Sequence, residues 1–217
     1  VKSPTSQRAP APNFRSVPPH RRLHRGDLPA DTLALARFLI GKLLIRRPGG
    51  GAVVAGRIVE TEAYAPGDPS SHAYRGPTER NRSMFAGPGF AYVYFIYGTS
   101  YCLNISSEAP GVGAAVLVRA LAPLAGVAHM RRGRGRAGIT DDDLARGPGN
   151  LCRALAIGRD LDGLDFDSDR RLMLGDDGCT PEIGSSTRIG ITRAVELPHR
   201  FYLRGSRAVS GPRSLSP

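Results

Sequence analysis

The chain has no tryptophan, three cysteines and only two lysines, Lys2 and Lys42, in 217 residues. It has no apolar run long enough to span a bilayer, and its start lacks the apolar core that a secretory leader needs. Each absence excludes something. Cys102, Cys152 and Cys179 are odd in number and far apart, with no close Cys or His spacing, so reduced, packed thiols are expected and no metal site. Without membrane or secretory signals the expected location is cytoplasmic, at the nucleoid if the source is prokaryotic. Scarce lysine leaves few amines for Schiff-base chemistry.

What is present suits one soluble domain: 41% hydrophobic and 23% charged residues, in a chain too short for two full cores. The net charge of +11 resembles a nucleic-acid signature, but it sits at the ends. Residues 1–26 carry six bases and residues 204–217 three, with no acid in either, so 27–203 holds 21 bases against all 19 acids. Both ends are rich in Pro, Ser and Gly and are expected as disordered basic tails around a domain at 27–203. They could tether the protein to a polyanion, keep it soluble or, at the start, serve as a transit peptide. Arg131-Arg-Gly-Arg-Gly-Arg136 reads as a flexible cationic loop able to track phosphates.

The spacing predicts a helix from Asp31 as N-cap to Ile40, stopped by Gly41. A short strand at 43–46, a turn at Pro48-Gly-Gly-Gly51 and a longer strand at 52–64 make a hairpin that ends in Glu60-Thr-Glu-Ala-Tyr64. Residues 65–89 form a long loop. Strands are expected at 91–97, 101–106, 114–121, 171–174 and 187–192, and helices from Pro123 to Met130, from Thr140, and at 149–157. Strands in runs argue a mixed α/β (α+β) single domain, with a curved, mainly antiparallel sheet flanked by helices.

Glu60 and Glu62 lie two apart on a strand, so both carboxylates face one side and perturb each other, as a general base requires; spacing alone leaves open an idle, exposed strand end. Arg119, in an otherwise apolar strand, needs a carboxylate partner, for which Glu62 is a candidate. With His72 from the loop they sketch a polar pocket at a sheet edge. The stretch Phe90-Ala-Tyr-Val-Tyr-Phe-Ile-Tyr-Gly-Thr-Ser-Tyr101 holds four of the seven tyrosines. Phe95 and Ile96 read as core packing, whereas a bulky Tyr97 beside Gly98 at a turn does not.

Taken in order, Glu60-Thr-Glu-Ala-Tyr64, His72, Arg80-Asn81 with Met84-Phe85, Tyr92-Val-Tyr-Phe-Ile-Tyr-Gly98 with Asn104, Val116-Leu-Val-Arg-Ala-Leu121 and Gly147-Pro-Gly-Asn-Leu151 resemble the 3-methyladenine DNA glycosylases of the alkyladenine (methylpurine) type. The similarity runs roughly from Leu28 to Leu203. It implies base excision repair on double-stranded DNA containing damaged purines: flipping the nucleotide out and hydrolysing its N-glycosidic bond. By resemblance Glu62 is the catalytic acid and Arg119 its helper. Tyr64, His72 and Tyr94 form the base pocket, where Asn104 disfavours guanine. Tyr97 is the intercalating wedge of a hairpin inserted into DNA, and Thr99, Arg80, Met84, Gly147, Gly149 and Asn150 face the DNA. No cofactor or metal is implied, and the protein is expected to act as a monomer without strand-cleaving lyase activity. Asn150 stands where the family often has lysine, and Thr99-Ser100 replaces a bulkier pair. The competing expectation is a non-catalytic binder of lesions or single strands, whose tyrosines stack bases without cleavage.

Overall fold

The computed structural model describes residues 16–212 and 214. Asp31 caps α1 (Thr32–Leu39) by accepting from the Ala34 N–H at 2.7 Å. Gly41, at φ 87°, then turns the chain into β2 (Leu43–Gly49). The turn at Gly50 and Gly51 returns it as β3 (Ala52–Tyr64), the longest strand. β4 (Ala91–Ile96) and β5 (Ser100–Ser106) form a second hairpin, followed by β6 (Ala115–Ala125). With β1 (Arg21–Arg22), β7 (Leu172–Asp176), β8 (Ile183–Ser186) and β9 (Arg200–Leu203) they make a nine-stranded antiparallel sheet, not closed into a barrel. Its main path runs β1-β7-β2-β3-β6-β5-β4, and β9 joins β3 and β8. The mixed α+β expectation is met.

β3 organises the site. Along one side it pairs with β6 from Ala55 to Tyr64; along the other it pairs first with β2 and then, at Glu60–Glu62, with β9. The two acids expected at an exposed strand end and sheet edge therefore sit between two strands, both fully buried. The β3–β6 register shifts twice here, so that Val59 on β3 and Arg119 on β6 fall between the paired residues. Such bulges re-aim side chains. Arg119 is thereby turned toward both carboxylates.

Several expected boundaries move. The end segments are not tails throughout: β1 pairs with β7, Leu23 is in the core, and Ala208, Val209 and Ser210 are buried. The tail expectation for residues 1–15 lies outside the described residues. Pro123 does not open a helix; β6 runs through it to Ala125, with Pro123 opposite Gly56 of β3 beside an irregularity in the register, and β5, which pairs β6 only at residues 115–117, leaves its other side without a strand. Thr140 leads into a single turn at Asp141–Asp143 rather than a helix. Residues 187–192 are not a strand, since β9 already occupies the edge of β3 they would need.

The arginine-glycine run is not a loop either. It lies largely in α2 (Val127–Arg134), which packs on α3 (Pro148–Ala154) at Gly133. A Cβ there would stand 2.3 Å from the Arg153 carbonyl oxygen, backbone against side chain with nothing flexible to yield. Gly133→Ala is therefore expected to destabilise the protein by about 1–3 kcal/mol, although alanine is the better helix former. A lower urea midpoint at unchanged slope is the readout.

Candidate active site

A cavity of about 580 Å³ opens between the β4–β5 hairpin, the loop following β3 and residues 189–193. Alternation along β4 builds one wall: Val93 points into the main core, while Tyr92, Tyr94 and Ile96 face the cavity side. Ile96 thus lines the cavity instead of the core, and Phe95 is half exposed on the opposite face, against Tyr101 at 5.0 Å. Tyr92 and Tyr94 stack at 5.2 Å, and His72 meets Tyr94 edge-on at 4.5 Å. The His72 Nδ1 lies 2.9 Å from the Tyr92 hydroxyl. Partial burial and then the Arg80 cation lower the His72 pKa, which favours a neutral ring at neutral pH. Burial pushes the Tyr92 hydroxyl up to about 12 and raises that of Tyr94 as well, so both remain neutral donors.

Behind the cavity lies Glu62, wholly buried, with all its partners donating. The Ile189 backbone N–H reaches Oε1 at 2.7 Å; the Tyr64 hydroxyl reaches Oε2 at 2.9 Å and Arg119 Nη1 reaches it at 3.1 Å. Two hydrogen-bond donors and a guanidinium in ion-pair contact are the complement of an ionised carboxylate. Burial, followed by the Glu62 charge, raises the Tyr64 pKa. Burial alone would depress Arg119, but the Glu62 and Glu60 carboxylates outweigh it and raise its pKa. Tyr64 and Arg119 also line the cavity, so they connect it to the hidden acid.

A second buried ion pair fixes the walls. Arg188 binds both oxygens of Asp68, donates to the Ala63 carbonyl at 3.0 Å, and stacks 4.8 Å from the Tyr64 ring. It ties the loop after β3 to the segment that places Ile189 on Glu62. Sequence reasoning missed Arg188, Asp68, Arg200 and residues 189–193. The cue that exposed Arg119, a charge in an apolar strand, applied equally to Arg200 ahead of Phe201-Tyr-Leu203.

A family model for methylpurine-DNA glycosylase matches residues 27–207. A protein of Mesorhizobium japonicum named "Putative 3-methyladenine DNA glycosylase" is 56% identical over 197 residues, covering 90% of this chain and 93% of its own. Proteins of the same name from Paraburkholderia phytofirmans and Rubrobacter xylanophilus are each 49% identical, covering 89% and 82% of this chain and 90% and 92% of their own. The chain belongs to the methylpurine-DNA glycosylase family. Membership makes it a DNA glycosylase, a hydrolase of base excision repair.

The remaining glycosylase positions divide by place. Asn104 is buried at the cavity wall, its Nδ2 donating to the Tyr92 carbonyl at 3.1 Å. Tyr97 stands at the hairpin tip, 83% exposed, at φ 53°, with Gly98 at φ 64°. A tyrosine in left-handed backbone costs about 1 kcal/mol or more, so its outward aim is imposed by the turn. Arg80 lies exposed beside the hairpin and reaches the Phe95 carbonyl at 3.4 Å. Thr99 is exposed, and its carbonyl accepts from Arg153 at 2.9 Å, tying the tip to α3. At the start of α3, Gly149 borders the cavity against Ser100, while Gly147 and Asn150 stand outside it. Met84, expected on the DNA face, is instead buried in the cluster behind Tyr92 and Tyr94, where it lines the cavity. Among the described residues no group of three or more His, Cys, Asp or Glu side chains is placed to hold a metal ion, and no helix is long and apolar enough to cross a membrane.

Proposed function

We propose that this glycosylase extrudes alkylated or deaminated purines of the 3-methyladenine, 7-methylguanine and hypoxanthine type from duplex DNA and hydrolyses their N-glycosidic bonds with a water activated by Glu62. The observation that carries the reading is the arrangement of Glu62: a buried carboxylate met only by donors, behind a cavity whose walls include two of those donors, Tyr64 and Arg119. Glu62 takes a proton from the water as its oxygen bonds to C1′ of the deoxyribose. The C1′–N bond breaks, and its electron pair leaves with the base. The carboxylate also steadies the positive charge that grows on the sugar. Arg119 keeps Glu62 and the water aligned.

Tyr64, His72 and Tyr94 would sandwich the flipped base. A neutral His72 and aromatic faces favour a positively charged alkylated purine over a neutral one. Asn104, at the wall, would leave the 2-amino group of guanine clashing or unpaired. Arg80 and Thr99 beside the hairpin, with Gly147, Gly149 and Asn150 at the start of α3, would meet the phosphate backbone, and the protein would act as a monomer. The reaction would end at an abasic site. Lys2 lies outside the described residues, and Lys42 is paired with Asp176 at 2.8 Å and stands over Phe38, so among the described residues no free lysine amine is offered to a sugar aldehyde.

Base release under single-turnover conditions, from duplexes carrying hypoxanthine or 7-methylguanine, tests the reading. Failure of the intact protein to release either base, while it binds both duplexes, would reduce it to a lesion binder. Tyr97 carries a separate expectation. As the side chain that fills the vacated gap, it should matter only where there is a stack to fill, so Tyr97→Ala should lose roughly 10- to 100-fold on duplex DNA. A much smaller loss is expected on single strands, and equal losses would refute intercalation.

A further inference from the structure

Glu60 lies as deep as Glu62 and, like it, is absent from the cavity lining, but its partners come from distant parts of the chain and none of them is shared with Glu62 except Arg119. Its Oε1 accepts from Arg119 Nε at 3.0 Å and from Arg200 Nε at 2.7 Å. Its Oε2 accepts from the Ser210 backbone N–H at 2.7 Å. Ser210 closes the circuit twice: its carbonyl takes Arg200 Nη2 at 3.0 Å, and its hydroxyl lies 3.3 Å from Arg119 Nη2. Arg200, wholly buried, is steadied further by the Ser186 hydroxyl at 2.7 Å. Arg119 is therefore hydrogen-bonded at Nε and Nη2, and its Nη1 makes the ion-pair contact with Glu62 at 3.1 Å.

From this closure we infer that Glu60, Arg200 and Ser210 form a positioning assembly for Arg119, which restricts it to a single-point contact with Glu62 and so keeps that carboxylate open to the attacking water. The inference rests on the reading in which Glu62 activates water. The reason is geometric. A guanidinium prefers to close its fork on a carboxylate with two parallel hydrogen bonds. Glu62 already spends one oxygen on the Ile189 N–H and shares the other between Tyr64 and Arg119. Without Glu60 to hold its Nε, Arg119 would turn both arms onto Glu62 and occupy the lone pairs the water needs. Ser210 lies three residues beyond the family match, in a segment whose composition read as a tail.

The test uses the full chain and a hypoxanthine duplex, with the single-turnover rate followed beside duplex affinity and thermal stability. Glu60→Gln is expected to slow base release by roughly 10- to 100-fold with affinity nearly unchanged, a split between rate and binding that a purely structural role, lowering stability and affinity together, would not produce. A folded Glu60→Gln variant with wild-type rate overturns the inference. If that variant does not fold, Ser210→Ala decides: it removes only the hydroxyl beside Arg119, and is expected to slow release several-fold at constant affinity, an unchanged rate being fatal. Glu62→Gln in the same assay separates the two ideas. If it retains the wild-type rate, the underlying mechanism falls; if it is inactive while Glu60→Gln is not impaired, only the positioning assembly does.

Discussion

Glu62→Gln should lower the single-turnover rate of base release by on the order of 1,000-fold, within the range a positioned general base contributes, and should leave lesion-duplex affinity almost intact. The amide matches the carboxyl in shape, so the cavity keeps its size. Its oxygen can still accept from the Ile189 N–H, and its NH₂ can donate to the Tyr64 hydroxyl, which then turns its own proton away. The one clash is with Arg119 Nη1, a donor now facing a donor. Two things are lost: the capacity to take a proton from water and the negative charge beside the developing sugar cation. Neither contributes to holding the flipped base, whose contacts in the proposed mechanism lie with Tyr64, His72 and Tyr94. Rate and affinity should therefore separate, and parallel losses of both would place Glu62 in binding rather than in chemistry.

Arg188→Met should cost about 3–5 kcal/mol of stability, the usual penalty for removing one member of a buried ion pair. Methionine approximates the arginine stem, so the loss comes from Asp68, left buried with the Ser70 N–H, at 2.9 Å, as its remaining side-chain hydrogen bond among the described residues. Urea unfolding gives the magnitude. A second change, Asp68→Leu, should recover part of it, because an apolar pair of similar volume avoids the cost of desolvating an isolated charge. Recovery of stability without recovery of base release is the informative combination. It would separate the holding of the fold from the placing of the Ile189 N–H on Glu62. No recovery would mean that the backbone contacts of Arg188, to the Ala63 and Ala194 carbonyls, carry most of the energy.

Much of the fold was legible because local chemistry and tertiary structure agree. Asp31 caps, Gly41 and Gly50 turn, and Tyr92 and Tyr94 alternate with Val93 as a strand with unlike faces should. The misreadings share one cause: the deciding partner was far away in sequence. Residues 187–192 alternate as a strand might, yet the edge of β3 was already taken by β9. Gly133 looked flexible until α3 stood against it. The motif residues reached the site as a group, with Tyr64, His72, Tyr94, Asn104 and Arg119 on one cavity and Glu62 behind it. The residues that set their electrostatics did not announce themselves, since Arg188 and Arg200 acquire meaning only from acids more than a hundred positions away.

Glu60 receives the Ser210 N–H across 150 residues of chain. On a ribosome, β3 is made early, and its acids, together with Arg119, exist long before their last partner has been polymerised. Domains emerge and fold from the amino-terminal side, but no amino-terminal fragment ending before residue 210 can contain this arrangement, however well its sheet has formed. The assembly around Glu60 is therefore completed late, and a nascent chain can form the β4–β5 hairpin well before it can hold this acid as the finished protein does.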